Sequence, residues 1–156
     1  MILPNAPGKN GKYHNTTGQY YVQHPEKYKG SSQPIFKSRL ERLMMSYLDN
    51  NKAVVSWNYE PRAIKYRDMT TLDKYGQGKV RNYYIDFVAT IIGEGNKLKT
   101  VWIEVKSDRE THPPRNKNNK LEMQTWIKNQ SKWSAAKQLC EAMGVEFLVI
   151  TEKQLT

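Results

Sequence analysis

Residues 83–106 read YYIDFVATIIGEGNKLKTVWIEVK. Two runs rich in Val, Ile, Tyr, Phe and Trp flank the turn formers Gly93, Glu94, Gly95 and Asn96, so the segment predicts a β-hairpin. Folding the chain about Glu94 and Gly95 sets Asp86 opposite Ile103, within one register step. Alternation along the second strand puts Trp102, Glu104 and Lys106 on one side and Val101, Ile103 and Val105 on the other, the second set forming the core face. A slip of one residue would bury Glu104 and Lys106 at a cost of several kcal/mol, roughly, so the apolar pattern selects which side carries the charges. Asp86 and Glu104 then converge within reach of one ion.

Phosphodiester hydrolysis uses these residue types. A hard cation such as Mg²⁺ or Mn²⁺ takes oxygen ligands, usually one or two carboxylates with water and phosphate oxygens. Asp86 and Glu104 would supply the carboxylates, and the backbone carbonyl of Val105 lies beside them. Such an ion polarises the phosphoryl oxygen and lowers the pKa of its water. Lys106, on the Glu104 side, would orient that water or meet charge building on the phosphate. The bland alternatives are a solvated strand face for Glu104 and Lys106 and a structural role at an edge for Asp86. Asp is disfavoured in strands, however, and Asp86 interrupts YYI and FVATII.

Composition agrees with a nucleic-acid partner. The 156 residues carry 25 Lys and Arg against 15 Asp and Glu, a formal charge of +10, and the pI is near 9.6, which favours a polyanion such as double-stranded DNA. A membrane surface would also attract that charge, but the sequence shows no lipidation motif, signal peptide or apolar run of spanning length. A soluble, intracellular protein is expected. The single Cys140 rules out an internal disulfide and a Cys-rich zinc site. His14, His24 and His112 are scattered, and no phosphate-cradling Walker loop suggests a nucleotide cofactor.

Outward from the hairpin, residues 1–30 are rich in Gly, Asn, Lys and Tyr and predict an extended or partly disordered basic aromatic arm, leaving 31–156 as the folded domain. The spacing of Leu40, Leu43, Met44, Tyr47 and Leu48 predicts a helix over about 38–49. Ser38 and Glu41 match a capping box, which competes with a role for Glu41 at the metal site. Two extended runs follow around Pro61, with Glu60 as a partner for a lysine or arginine, then a loop over 67–78. The polar loop after Lys106 holds Arg109, Arg115, Lys117 and Lys120, which would grip phosphates or simply face water. A helix is expected from about residue 121, with a break near Asn129, an N-cap at Ser131 and a stop at Gly144. Ala135, Leu139, Ala142 and Met143 would face the sheet. Trp133 and Lys137 share another face, able to stack on a base and meet a phosphate, although Trp133 also suits a core. VEFLVI reads as a buried strand, and the tail as the start of a helix.

The order helix, strands bearing Asp86 and Glu104-Val105-Lys106, helix, strand resembles the PD-(D/E)xK nuclease superfamily, with Ile85 in place of the motif proline. The resemblance implies an α/β, restriction-endonuclease-like core: a central mixed β-sheet flanked by helices. It also implies that Glu41 is the first-helix acid of the metal shell. Within the superfamily, HPEKYKG, SRLERLMMSYLDNN, SWNYE, RNYYIDF, WIEVKSDRETHPP, SKWSAAK and VEFLVITE together resemble the head completion nucleases of T-even-type bacteriophages. That likeness implies endo- and exonuclease activity on packaged DNA, contact with portal or neck proteins, and a setting in the cytoplasm of the infected bacterium or at the virion neck. WNYEP and the E-x-K also resemble the endonuclease subunit of heteromeric transposases. A third reading is an assembly protein that keeps the nuclease fold as scaffold only.

Overall fold

The computed structural model describes residues 17–155. Strand β1 (Gly18–Gln19) pairs antiparallel with β2 (Ile35–Phe36). Helix α1 (Arg39–Asn50) follows, capped by Ser38, whose Oγ accepts the Glu41 amide at 3.1 Å. Then come β3 (Val54–Tyr59), β4 (Ala63–Leu72), β5 (Gly78–Tyr84), β6 (Phe87–Ile92) and β7 (Leu98–Val105). Helix α2 (Lys120–Met143), β8 (Glu146–Ile150) and the single turn α3 (Glu152–Leu155) complete the fold. The central sheet has the order β3-β6-β7-β8. Its first pairs are antiparallel, whereas β7 and β8 are parallel because α2 carries the chain back across the sheet. The expected mixed α/β sheet with flanking helices is therefore present.

The sheet separates two cores. Leu43, Met44, Met45 and Leu48 of α1, with Leu155 of α3, pack on Trp57, Phe87, Val101, Ile103 and Val105. On the opposite face, Ala136 and Cys140 of α2 pack with Ile64, Tyr66, Tyr83, Ile85 and Trp102, and Trp133 leans on the same cluster. Strand β7 is consequently buried on both faces from Val101 to Val105. This corrects the expectation that Glu104 lies on an open side: α2 covers it, and Glu104 is only 5% exposed.

The stretch YYIDFVATII is not one strand. It divides at Ile85 and Asp86, β5 forming a two-stranded hairpin with β4 and β6 entering the central sheet. The β6–β7 turn is as expected, with Gly95 at φ 64 where a side chain would be strained. Its register pairs Phe87 with Ile103, one step from the predicted opposition and enough to set Asp86 across from Glu104.

Other elements differ from expectation for local reasons. Strand β4 runs on to Leu72, so only residues 73–77 of the predicted loop turn. Fully buried Asp68 holds that extension by accepting bonds from the Thr70 amide and hydroxyl and from Arg81 Nε at 2.8 Å. Helix α2 is continuous, from the Asn119 cap to Gly144 in the left-handed region at φ 70. Asn129 is buried, and Ser131 does not cap; its hydroxyl donates to the Ile127 carbonyl at 2.9 Å, inside the helix. The inward residues are Ala136 and Cys140, while Leu139 and Met143 lie largely outside.

The predicted arm is in its second half part of the folded body. Asp49, fully buried at the end of α1, accepts from Tyr20 Oη at 2.8 Å and from the amides of Gln23 and His24 at 2.7 and 3.0 Å. Lys27 Nζ donates to the Asp49 and Asn51 carbonyls at the helix C-terminus, and the Tyr28 ring lies 4.7 Å from that of Trp57. The first sixteen residues of the arm lie outside the described residues.

Candidate active site

Asp86 occupies the bend between β5 and β6. The bend is braced from the main chain, because the Glu60 amide donates to the Asp86 carbonyl at 2.8 Å. Glu60 itself has φ 42 and, as expected, pairs through its carboxylate with Lys37, at 2.8 Å. Asp86 Oδ2 accepts the Val105 amide at 2.8 Å, beyond the last β6–β7 pair. A residue's N–H and C=O point to the same side of a strand, so the Val105 carbonyl also faces the Asp86 edge. Lys106 continues the ladder on the other side, donating its amide to the Ile150 carbonyl at 3.0 Å. Its Nζ lies 4.0 Å from Glu104 Oε1.

Asp86 and Glu104 are a buried carboxylate pair. Desolvation, and then the Glu104 charge, hold Asp86 well above the usual carboxylate range. Desolvation also raises Glu104, opposed by the Tyr83 hydroxyl, by Lys106 and by a hydrogen bond with Asp86. Burial thus disfavours ionisation of both acids, and the Glu104 charge adds to that effect at Asp86. Tyr83 Oη donates to Glu104 Oε2 at 2.5 Å. Burial, followed by the Glu104 charge, makes the Tyr83 phenol much harder to ionise, so it remains a donor.

Glu41 reaches back at the start of α1 as the capping reading expects, but past the Ser38 amide. Its Oε2 accepts the Lys37 amide at 2.6 Å, one residue before the cap. It is also close enough for its charge to act on Asp86 and for Lys106 to act on it. Burial raises its carboxyl above the ordinary value. Among the described residues, no three His, Cys, Asp or Glu side chains converge as a ready ligand set. The donors at hand are thus two adjoining carboxylates and a main-chain carbonyl. All are oxygens, a set suited to a hard divalent ion that retains several waters.

The basic candidates separate. Arg109 pairs with Glu122 at 3.2 Å, whereas Arg115, Lys117, Lys120 and Lys137 are exposed. Trp133 is half-buried and packs against the second core, the core role weighed beside base stacking. Two residues were missed. Tyr83 stands within the quoted stretch, three positions before Asp86, but its aim at Glu104 depends on the β5–β6 bend. Lys132 of α2 lies partly buried with its Nζ 5.8 and 5.7 Å from the ring centres of Tyr66 and Tyr83. The i, i+4 spacing of Lys128 and Lys132 marks one helix face, although nothing in the sequence says that this face meets the acids.

This geometry fits what known proteins show. The chain is 29% identical over 149 residues to the head completion nuclease of Enterobacteria phage T4, covering 89% of this chain and 93% of the relative. Residues 51–152 match the description of a TnsA-like endonuclease N-terminal domain. That match takes in Asp86, Glu104, Lys106 and Lys132 and leaves Glu41 outside. With about two-thirds of its length so matched, the chain belongs to the TnsA-like endonuclease N-terminal family.

Proposed function

We propose that this protein is a Mg²⁺- or Mn²⁺-dependent deoxyribonuclease that acts in phage head completion, cutting or trimming packaged DNA before head and tail join. The observation that carries the reading is the desolvated Asp86–Glu104 pair with Lys106 beside it. Asp86, Glu104 and the Val105 carbonyl would hold the ion, with Glu41 as an outer acid. When bound, it supplies Lewis-acid activation of water and phosphate. Lys106 orients the attacking water or meets charge on the phosphate. Tyr83 keeps one Glu104 oxygen occupied, so that the carboxylate has a single orientation. The sequence carries no cue for base-edge readout, which favours cleavage directed by DNA ends or structure over a fixed sequence.

The assembly setting rests on the T4 relative, since the match extends over nearly both chains. Portal or neck proteins would be its partners, in the cytoplasm of the infected bacterium or at the virion neck. Among the described residues, no helix is long and apolar enough to cross a membrane. The family match favours one other setting, the endonuclease subunit of a heteromeric transposase. A subunit of that kind would depend on partner proteins to cut at defined ends.

The test is cleavage of supercoiled plasmid and linear duplex with Mg²⁺, Mn²⁺ or EDTA, comparing the parent with folded Asp86→Ala and Glu104→Ala. Metal-dependent cleavage by the parent alone is expected. Equal products from all three proteins would overturn the site, and cleavage that requires a partner and a defined end would favour the transposase setting.

A further inference from the structure

The mechanism above leaves one cation at the site without a task. Lys132 projects from the fourth turn of α2 toward the acid pair, and its Nζ sits over two tyrosine rings, at 5.8 Å from Tyr66 and 5.7 Å from Tyr83. These rings stand edge to face, 6.5 Å apart, and form a wall that holds the ammonium by its attraction for their π faces. No carboxylate among the described residues lies within ion-pair distance of it. The neighbouring cations differ. Lys128, one turn earlier, lies 3.6 Å from Asp68, and Arg81 lies 2.8 Å from the same carboxylate. Buried Asp68 thus engages Arg81 and Lys128 and leaves Lys132 as the unneutralised charge on that face of the helix.

Its surroundings explain why such a charge would be kept. Desolvation, and then repulsion by Lys106, make the Lys132 ammonium easier to deprotonate than an ordinary lysine, with the Glu104 charge opposing. A partly buried ammonium facing another lysine is unfavourable unless an anion joins them. The acid pair does not serve, because Lys132 reaches neither carboxylate closely enough to form an ion pair.

We propose that Lys132 is a phosphate clamp, its ammonium held by Tyr66 and Tyr83 to bind a non-bridging oxygen of the DNA strand that lies across the acid pair. The proposal rests on the nuclease reading and adds a residue to it. In this arrangement Lys106 acts at the reacting phosphate, whereas Lys132 fixes the strand from the α2 side. Tyr83 joins the two functions, since its ring carries the clamp and its hydroxyl holds Glu104. The tyrosine wall also explains why a point charge on a flexible stem can act with defined direction here.

Duplex binding should be measured by fluorescence anisotropy in Ca²⁺, across a salt series, for the parent, Lys132→Met and Lys132→Arg. Cleavage by the same three proteins is followed in Mg²⁺. Methionine can fill the aliphatic volume against the rings, and thermal unfolding of each variant checks the fold. For Lys132→Met, affinity should fall about tenfold, with a salt slope shallower by about 0.9, the value for one lost phosphate contact. Lys132→Arg should recover most of the affinity, and the loss of cleavage by Lys132→Met should appear mainly in KM. A Lys132→Met protein with the parent's affinity and salt slope would overturn the clamp while leaving the nuclease intact. A parent that neither binds nor cuts duplex DNA would overturn the nuclease reading itself.

Discussion

The Val105 amide donates a 2.8 Å hydrogen bond to Oδ2 of Asp86, so the carboxylate of the β5–β6 bend is tied to the strand that carries Glu104. This bond makes the acid pair a property of the sheet. It holds Asp86 beside Glu104 although each ionised carboxylate repels the other, and the energetic consequences can be measured without DNA.

Asp86→Asn removes the repulsion and keeps an oxygen for the Val105 amide. The metal-free variant should be more stable than the parent at neutral pH by about 1–2 kcal/mol, a rise of roughly 2–8 °C in Tm for a chain of this size. Mg²⁺ or Mn²⁺ should raise the Tm of the parent and leave that of Asp86→Asn unchanged. Calorimetry with and without metal checks both, and a variant still stabilised by metal would show that the ion binds elsewhere.

The pH dependence has a definite sign. Asp86 and Glu104 have folded pKa values raised by burial, so the folded metal-free protein binds protons more tightly than the unfolded chain. Their contribution is fully present below the unfolded carboxylate value of about 4 and is lost as pH rises through the raised folded values. Urea unfolding of the parent and of Asp86→Asn/Glu104→Gln should therefore diverge with increasing pH, the parent becoming relatively less stable. Parallel curves would mean that the pair is not coupled to folding.

Tyr83→Phe deletes the donor to Glu104 Oε2. Glu104 should become easier to protonate, which moves the acidic limb of the pH–rate profile upward and lowers kcat by about tenfold at neutral pH, equivalent to about 1.4 kcal/mol. Steady-state cleavage across pH is the readout. A lower kcat without movement of the limb would indicate a packing defect instead.

Asp49→Ala strands two amides and a tyrosine hydroxyl that this buried carboxylate now accepts from. A loss of about 3 kcal/mol is expected, with new proteolytic sites between residues 20 and 30. Metal affinity at the acid pair should change little, which titration calorimetry on the still-folded variant can establish.

Among the loop cations, Lys117→Ala should weaken DNA binding and make its salt dependence shallower. Arg109→Ala should have the smaller effect, because Arg109 is already engaged with Glu122. Unchanged affinity across salt for both would remove the loop from the DNA path.

Much of this site was legible in linear order. The β6–β7 hairpin could be read from turn residues between β-rich runs, and with it the convergence of Asp86 and Glu104 and the position of Lys106, because alternation and a short turn are local constraints. The Ser38 cap, the α1 stripe and the Gly144 stop were legible for the same reason. Local rules did not reach the continuity of α2 through Asn129, since the interior lies against that face of the helix and burial outweighs the residue's preference for turns. Nor did they reveal that YYIDFVATII divides between two sheets. The division depends on the β4–β5 hairpin, held by buried Asp68 some twenty residues from Asp86 in sequence.

The sequence by itself thus determined which residues bear charge, which residues alternate on each strand, and that an aspartate and an E-x-K meet across a hairpin. Only the tertiary structure decided that α2 covers Glu104, that Asp86 and Glu104 are buried together with their carboxyls harder to ionise, and that Tyr83 and Lys132 join them. The physical reason is range. Alternation, capping and turn geometry act over a few residues, whereas desolvation and the coupling of charges depend on which distant segments exclude water from the same small volume.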